Sequence, residues 1–119
     1  MYHNKKISVV IPTYNEAGSV RGVINGFFET GLVDEVVAVD NNALGNTEEE
    51  IKKTKAIYVK ESQKQGYGFA LMRGMLEAKG DIVVMVEADG TFLPKDIEKL
   101  LSYSDEFEAV LGTRTSRSA

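Results

Sequence analysis

The chain has 119 residues, 43% of them hydrophobic, enough for one buried core and too little for two. Eighteen acidic against fourteen basic side chains leave a net charge of -4, so the overall field repels nucleic acid and anionic lipid, and any phosphate must be gripped locally. The absence of cysteine excludes a disulfide framework and a thiolate metal site and fits a reducing compartment, with the cytoplasm as the default location.

Met1 to Ile11 holds two lysines and too few apolar residues for a signal sequence or for a membrane span of roughly 20 residues, so no transmembrane segment is expected. Ile7 to Ile11 is a β-branched run closed by Pro12 and reads as a buried strand. Val20, Val23, Ile24, Phe27 and Phe28 recur at helical spacing between a candidate N-cap, Asn15, and a stop at Gly31. Gly18, Gly22 and Gly26 fall four apart on the opposite side of that helix. They allow a close contact with a partner and equally describe a weakly stable surface helix, since each costs up to about 1 kcal/mol relative to alanine; separately, a homo-oligomer is among the expected assemblies. Glu35 to Val39 is a second strand ended by Asp40-Asn41-Asn42, Thr47 to Lys53 a weaker helix, and Ala56 to Val59 a third strand. Leu71, Met72, Met75 and Leu76 mark a helix ending at Gly80, with Met72, Met75 and Met85 read as core filling. Asp81 to Val86 is the most strand-like stretch, Pro94 opens a helix carrying Ile97, Leu100 and Leu101, and Ala109 to Leu111 is a fifth strand.

Strands alternating with helices predict a three-layer α/β/α sandwich around a mostly parallel, Rossmann-like sheet, as a single domain over residues 1–119. The polar end from Thr113 to Ala119 follows directly on an apolar run, as if a larger protein continued beyond it. Ligands of such sheets bind outside the carboxyl ends of the strands, which directs attention to Pro12–Glu16, Asp40–Asn42 and Glu87–Thr91.

Glu87 and Asp89 stand two apart after a strand, so in extended geometry both carboxylates project to one side and suit a single oxygen-loving cation. Asp89 and Thr91 serve equally well as turn residues before the Pro94 helix. Asp40-Asn41-Asn42 can meet a base edge or a ribose, or simply turn the chain, and Pro12-Thr13-Tyr14-Asn15-Glu16 offers a kink, an aromatic face and an acid beside a helix start. The glycines of Lys64 to Ala70 could let backbone approach a nucleotide, but Leu71 stands where a dinucleotide fingerprint needs glycine. No Gly-Lys-Ser or Gly-Lys-Thr occurs, and the one histidine, His3, lies near the N-terminus, so neither a P-loop nor a histidine-based triad is expected.

Taken in order, these segments resemble family 2 glycosyltransferases of the GT-A fold, in particular the dolichyl- and polyprenyl-phosphate sugar transferases. Val9-Val10-Ile11-Pro12-Thr13-Tyr14-Asn15-Glu16 is similar to the family's opening strand and turn, and Val39-Asp40-Asn41-Asn42 to its Val-Asp-Asp segment. Gly66-Tyr67-Gly68-Phe69-Ala70 resembles its Gly-rich helix entry, Glu87-Ala88-Asp89-Gly90 its Asp-x-Asp metal motif, and Val110-Leu111-Gly112-Thr113-Arg114 the strand and Gly-Ser/Thr-Arg that follow.

The resemblance implies a GDP- or UDP-hexose donor bound by Pro12, Tyr14, Glu16, Asp40, Asn41, Gly68, Glu87, Ala88, Asp89 and Arg114. It implies Mg2+ or Mn2+ on Asp89, supported by Glu87 and Thr91, and a lipid-linked phosphate acceptor, with the full-length protein peripheral to the membrane. Asn41 replaces the family's second acid and Glu87 the first Asp of its metal motif. Relatives continue into an acceptor-binding region that often carries the catalytic base, so no catalytic residue is assigned. A module that binds the nucleotide sugar without an acceptor site is the alternative. A phosphoacceptor signalling domain would need an aspartate ending the third strand, where this chain has Val59-Lys60, and a nucleotidyltransferase would need a Gly-rich basic loop in place of Thr13 to Glu16.

Overall fold

The apolar runs and stripes resolve into strands β1 (Ile7–Thr13), β2 (Glu35–Asp40), β3 (Ile57–Lys60), β4 (Ile82–Val86) and β5 (Val110–Gly112), alternating with helices α1 (Val20–Glu29), α2 (Thr47–Lys52), α3 (Tyr67–Glu77) and α4 (Ile97–Ser102). The structure, a computed structural model, describes residues 1–14, 18–87 and 92–102 and the backbone of Val110–Gly112. Among the described residues the five strands pair in parallel, in the order β3-β2-β1-β4-β5. The chain winds from β1 out to β3 and then returns to the other side of β1 for β4. The order therefore reverses between β1 and β4, the place where such sheets open a crevice at their carboxyl edge.

The period of two along a strand divides the core between the two faces of the sheet. Ile7, Val9 and Ile11 of β1 join Val36, Ala38, Ile82 and Val84 under α1, α2 and α4, which contribute Ile24, Phe27, Ile51, Ile97 and Leu101. Val10, Val37, Val39 and Val59 face the other way, with Ala70 of α3 against them. The three layers expected from the alternation are present.

The helix boundaries follow local chemistry. Pro94 begins a 3-10 turn, Pro94–Asp96, that runs into α4, as its fixed φ and missing N–H favour at a helix start. α1 starts after Ser19, while the expected cap Asn15 lies outside the described residues. A Cβ on Gly26 would meet Pro94 Cγ at 2.8 Å, so the third glycine of the Gly18-Gly22-Gly26 series lets α1 approach the Pro94 turn within the same chain.

Two expectations need correction. Pro12 does not end β1: it pairs in register with Val39, and the ladder to β4 has already ended at Val10, so β1 continues to Thr13 without a β4 ladder position at the proline. Met72 and Met75 are not core filling, being 61% and 48% exposed, with Leu76 beside them at 77%. The cause is close approach of α3 to the sheet. A Cβ on Gly74 would stand 2.3 Å from Val10 Cγ1, so Ala70 and Gly74 face inward with Leu71 partly buried beside them, while Met72, Met75 and Leu76 turn away. Met85 is partly buried against the α3-side core.

Candidate functional site

β2, β1 and β4 lie side by side, and their carboxyl ends lead into Asp40-Asn41-Asn42, Tyr14 and Glu87 respectively. With neighbouring strands about 4.8 Å apart, the ends of β2 and β4 are separated by roughly 10 Å across β1. The start of α3 closes the same edge.

Asp40 is only 4% exposed. Its Oδ1 accepts from the Ala43 N–H at 2.7 Å, which shapes the turn after β2, and its Oδ2 accepts from the Tyr58 hydroxyl at 2.5 Å. Asn42 occupies the left-handed region of that turn at φ 59°, a conformation asparagine tolerates better than most residues. Burial, the hydrogen bond to Asp40 and the charges of Asp40 and Glu48 together push the Tyr58 phenol far above the usual tyrosine range. The Tyr58 hydroxyl and the Ala43 N–H each engage one oxygen of Asp40, which holds its carboxylate in one orientation.

Asn41 is fully buried and its amide is engaged with the 61–66 loop: Nδ2 donates to Glu61 O and Lys64 O, and Oδ1 accepts from the Gly66 N–H. Thr13, buried at the end of β1, donates through Oγ1 to Val39 O at 2.9 Å and ties β1 to β2 just below the site. Gly68 lies in the first turn of α3, and a Cβ there would meet nothing within 4 Å. Tyr67 is close enough to Glu87 and Tyr14 to feel both: burial first, then the Glu87 charge, then Tyr14 raise its phenol above the ordinary value.

The structure thus gathers Pro12, Tyr14, Asp40, Asn41, Gly68 and Glu87 along one edge. Glu16, Ala88, Asp89, Thr91 and Arg114 lie outside the described residues. Among the described residues, no group of three or more His, Cys, Asp or Glu forms a metal cage. Sequence reasoning did not single out Tyr58, Gln65 or Tyr67. Tyr67 could have been found inside the Gly-rich segment. Tyr58, 18 residues from Asp40, reaches it only because β3 pairs beside β2.

The parallel sheet, with its reversal of strand order and its acids, amides and tyrosines at the carboxyl edge, defines an open α/β protein of the class whose ligands bind at that edge. The profile described as Glycosyl transferase family 2 matches residues 8–119, and the chain belongs to that family. Dolichol-phosphate mannosyltransferase of Pyrococcus furiosus is 32% identical over 102 residues, covering 81% of this chain and 29% of that protein. UDP-N-acetylglucosamine--dolichyl-phosphate N-acetylglucosaminyltransferase of Methanococcus voltae is 32% identical over 133 residues, covering 93% of this chain and 53% of that protein. The chain therefore spans about a third to a half of these two relatives. Glucosyl-3-phosphoglycerate synthase of Mycobacterium tuberculosis superposes with a TM-score of 0.75 at 29% identity, over 84% of this chain and 41% of that one. A structure of the same enzyme in complex with Mn2+, UDP and glucosyl-3-phosphoglycerate gives a TM-score of 0.73 at 27% identity, over 84% and 39%. The fold is the Rossmann-like nucleotide-binding arrangement of GT-A glycosyltransferases.

Proposed function

We propose that this chain binds a nucleoside-diphosphate sugar, a GDP- or UDP-hexose, with Mg2+ or Mn2+ at the carboxyl ends of β1, β2 and β4. In the whole protein the hexose would pass to a polyprenyl or dolichyl phosphate. The observation that carries this reading is the placement of Asp40, Tyr14 and Glu87 on three adjacent strand ends of a family 2 chain, at the point where strand order reverses. The Mn2+ and UDP named for the mycobacterial synthase support the donor and cation, and the lipid phosphates named for the two archaeal relatives support the acceptor.

The donor set fits such an ion. Glu87 supplies a hard carboxylate at the end of β4, and Mg2+ or Mn2+ is commonly held by one or two carboxylates plus substrate phosphates, so a cage of three acids is not required. Asp89, with Thr91 in support, would complete the protein ligands. When bound, the cation would neutralise charge on the leaving diphosphate. The chain's own residues bind and orient: on the β2 side, Asp40, fixed by Tyr58 and Ala43, would accept from the base or ribose, while Tyr14 and Tyr67 flank the sugar-phosphate path toward Glu87. An acceptor phosphate oxygen is already anionic at neutral pH and would need no general base from this half. Such an acceptor would bring the reaction to the membrane surface, although no described helix is long and apolar enough to cross a membrane.

Calorimetric titration with UDP and GDP, with and without Mn2+, on this chain and on Asp89→Ala tests the site. Manganese-dependent binding of one nucleotide, lost in the variant, is expected. Metal-independent binding that survives Asp89→Ala refutes the cation site, and binding without turnover on a polyprenyl phosphate would limit the chain to donor capture.

A further inference from the structure

The end of β2 is joined to the start of α3 through one side chain. Asn41 Nδ2 donates to Glu61 O at 2.8 Å and Lys64 O at 3.0 Å, and Oδ1 accepts from the Gly66 N–H at 2.9 Å. Both N–H donors and the acceptor oxygen of the amide are thus engaged with one loop. Gln65 adds an outer layer, donating through Nε2 to Asn41 O at 2.9 Å and accepting from Asn42 Nδ2 at 2.7 Å.

Gly66 is the N-cap residue of α3, at φ 140°, and its carbonyl accepts the Ala70 N–H that opens the helix. Among the described residues no side chain caps α3. On its inner side the helix buries the small residues Ala70 and Gly74, with Leu71 only partly buried, so apolar packing alone locates its first turn weakly. Whatever holds Gly66 sets where the helix begins, and Asn41 holds Gly66.

We propose that Asn41 is a positioning residue: its amide clasps the 61–66 loop and thereby places the start of α3, with Tyr67, beside Tyr14 and Glu87. The proposal rests on the reading of this edge as the nucleotide site. Asn41 has no N–H left for a ligand and acts through the loop.

The test uses the whole chain with its Asn41→Asp and Gln65→Ala variants, titrated with UDP and GDP in the presence of Mn2+. Amide hydrogen exchange is read at residues 61–67 and in β1 and β4. Asn41→Asp removes two donors and sets a carboxylate against two carbonyls, so affinity is expected to fall about tenfold or more, and Gln65→Ala should lower it about threefold. Exchange should quicken at 61–67 in both variants, with β1 and β4 keeping wild-type protection in Gln65→Ala and losing less than 61–67 in Asn41→Asp, a local change that general destabilisation would not give. Should Asn41→Asp fail to fold, Gln65→Ala, at an exposed side chain, decides. Quickened exchange with unchanged affinity overturns the proposal. So does lost affinity with unchanged exchange, which would make Asn41 a direct ligand. A wild-type chain that binds neither nucleotide refutes the nucleotide reading itself, and that failure appears before any variant is made.

Discussion

Replacing Tyr58 by phenylalanine removes a hydroxyl that lies between Asp40 and Glu48. The ring and its packing remain, and the change removes the hydroxyl that donates to Asp40 Oδ2 at 2.5 Å. Asp40 is 4% exposed and its other oxygen is already occupied by the Ala43 N–H, so Oδ2 loses its donor in a place water reaches poorly. Hydrogen bonds to charged groups contribute about 1.5–3 kcal/mol. Tyr58 is itself partly exposed, which lets some solvent replace the lost donor, so a cost of about 1–2 kcal/mol is expected on the same scale. With a urea slope of about 1–3 kcal/mol per molar, the midpoint should fall by roughly 0.3–2 M. The same substitution in the Asp40→Asn background, where charge assistance is already gone, should cost less by about 1 kcal/mol, a coupling well above the scatter of independent sites. Urea melts of the four proteins complete the cycle. Equal costs in the two backgrounds, within about 0.5 kcal/mol, would show that Tyr58 does not hold Asp40 and would remove the argument for a fixed carboxylate.

Gly74→Ala would drive a Cβ to 2.3 Å from Val10 Cγ1 and 3.0 Å from Val39 Cγ2, so overpacking of about 1–3 kcal/mol should outweigh the propensity gained, and a raised thermal midpoint would contradict the close seating of α3. Gly66→Ala forces a side chain onto φ 140° and should cost about 1–3 kcal/mol, with faster exchange at the Ala70 amide as its local sign. Asp34 has its pKa lowered below the ordinary 3.8, chiefly by the Ile7 N–H that it accepts at 2.7 Å and further by the N-terminal ammonium at 3.1 Å. The folded value is the lower one, so this contribution is present above the unfolded value and is lost as pH falls through about 4 and below. Acid titration of Asp34→Ala should therefore show a shallower loss of stability in that window, and a slope equal to wild type would refute the assignment.

Most of the fold could be read from spacing because burial on a strand or helix has a period. Ile7 to Ile11, Glu35 to Val39 and Asp81 to Val86 were found within two residues of the strand ends, and Pro94 marked its helix start. The failures have a common cause. Met72 and Met75 carry the same apolar signal as a core stripe, yet their orientation depends on how close α3 approaches the sheet, and that distance is set by Gly74 against Val10. Of the site, the positions at strand ends were legible because topology places them. The partners of Asp40 and Asn41 were not, since Tyr58 lies 18 residues from the first and Gly66 25 from the second, and only the β2–β3 pairing and the loop after it bring them together. Gly26 is explained by Pro94, a neighbour that no local pattern reveals.

The two faces of the sheet are held in different ways, and the difference bears on the site. Under α1, α2 and α4, the large side chains Phe27, Ile24, Ile51, Ile97 and Leu101 are fully buried. Apolar burial is strong and non-directional: it stabilises the layer without fixing any one atom closely. On the other face, α3 meets the sheet through Ala70, Gly74 and a partly buried Leu71, and its first turn is located by the Asn41, Gln65 and Gly66 bonds. Hydrogen bonds are weaker in net free energy but directional, with a narrow range of distance and angle. The element that borders the proposed nucleotide is thus the one whose position depends on directional bonds. Loss of buried apolar volume under α1 should therefore lower stability with little change in nucleotide affinity. Loss of the exposed Gln65 contacts that back the Asn41 clasp should do the reverse.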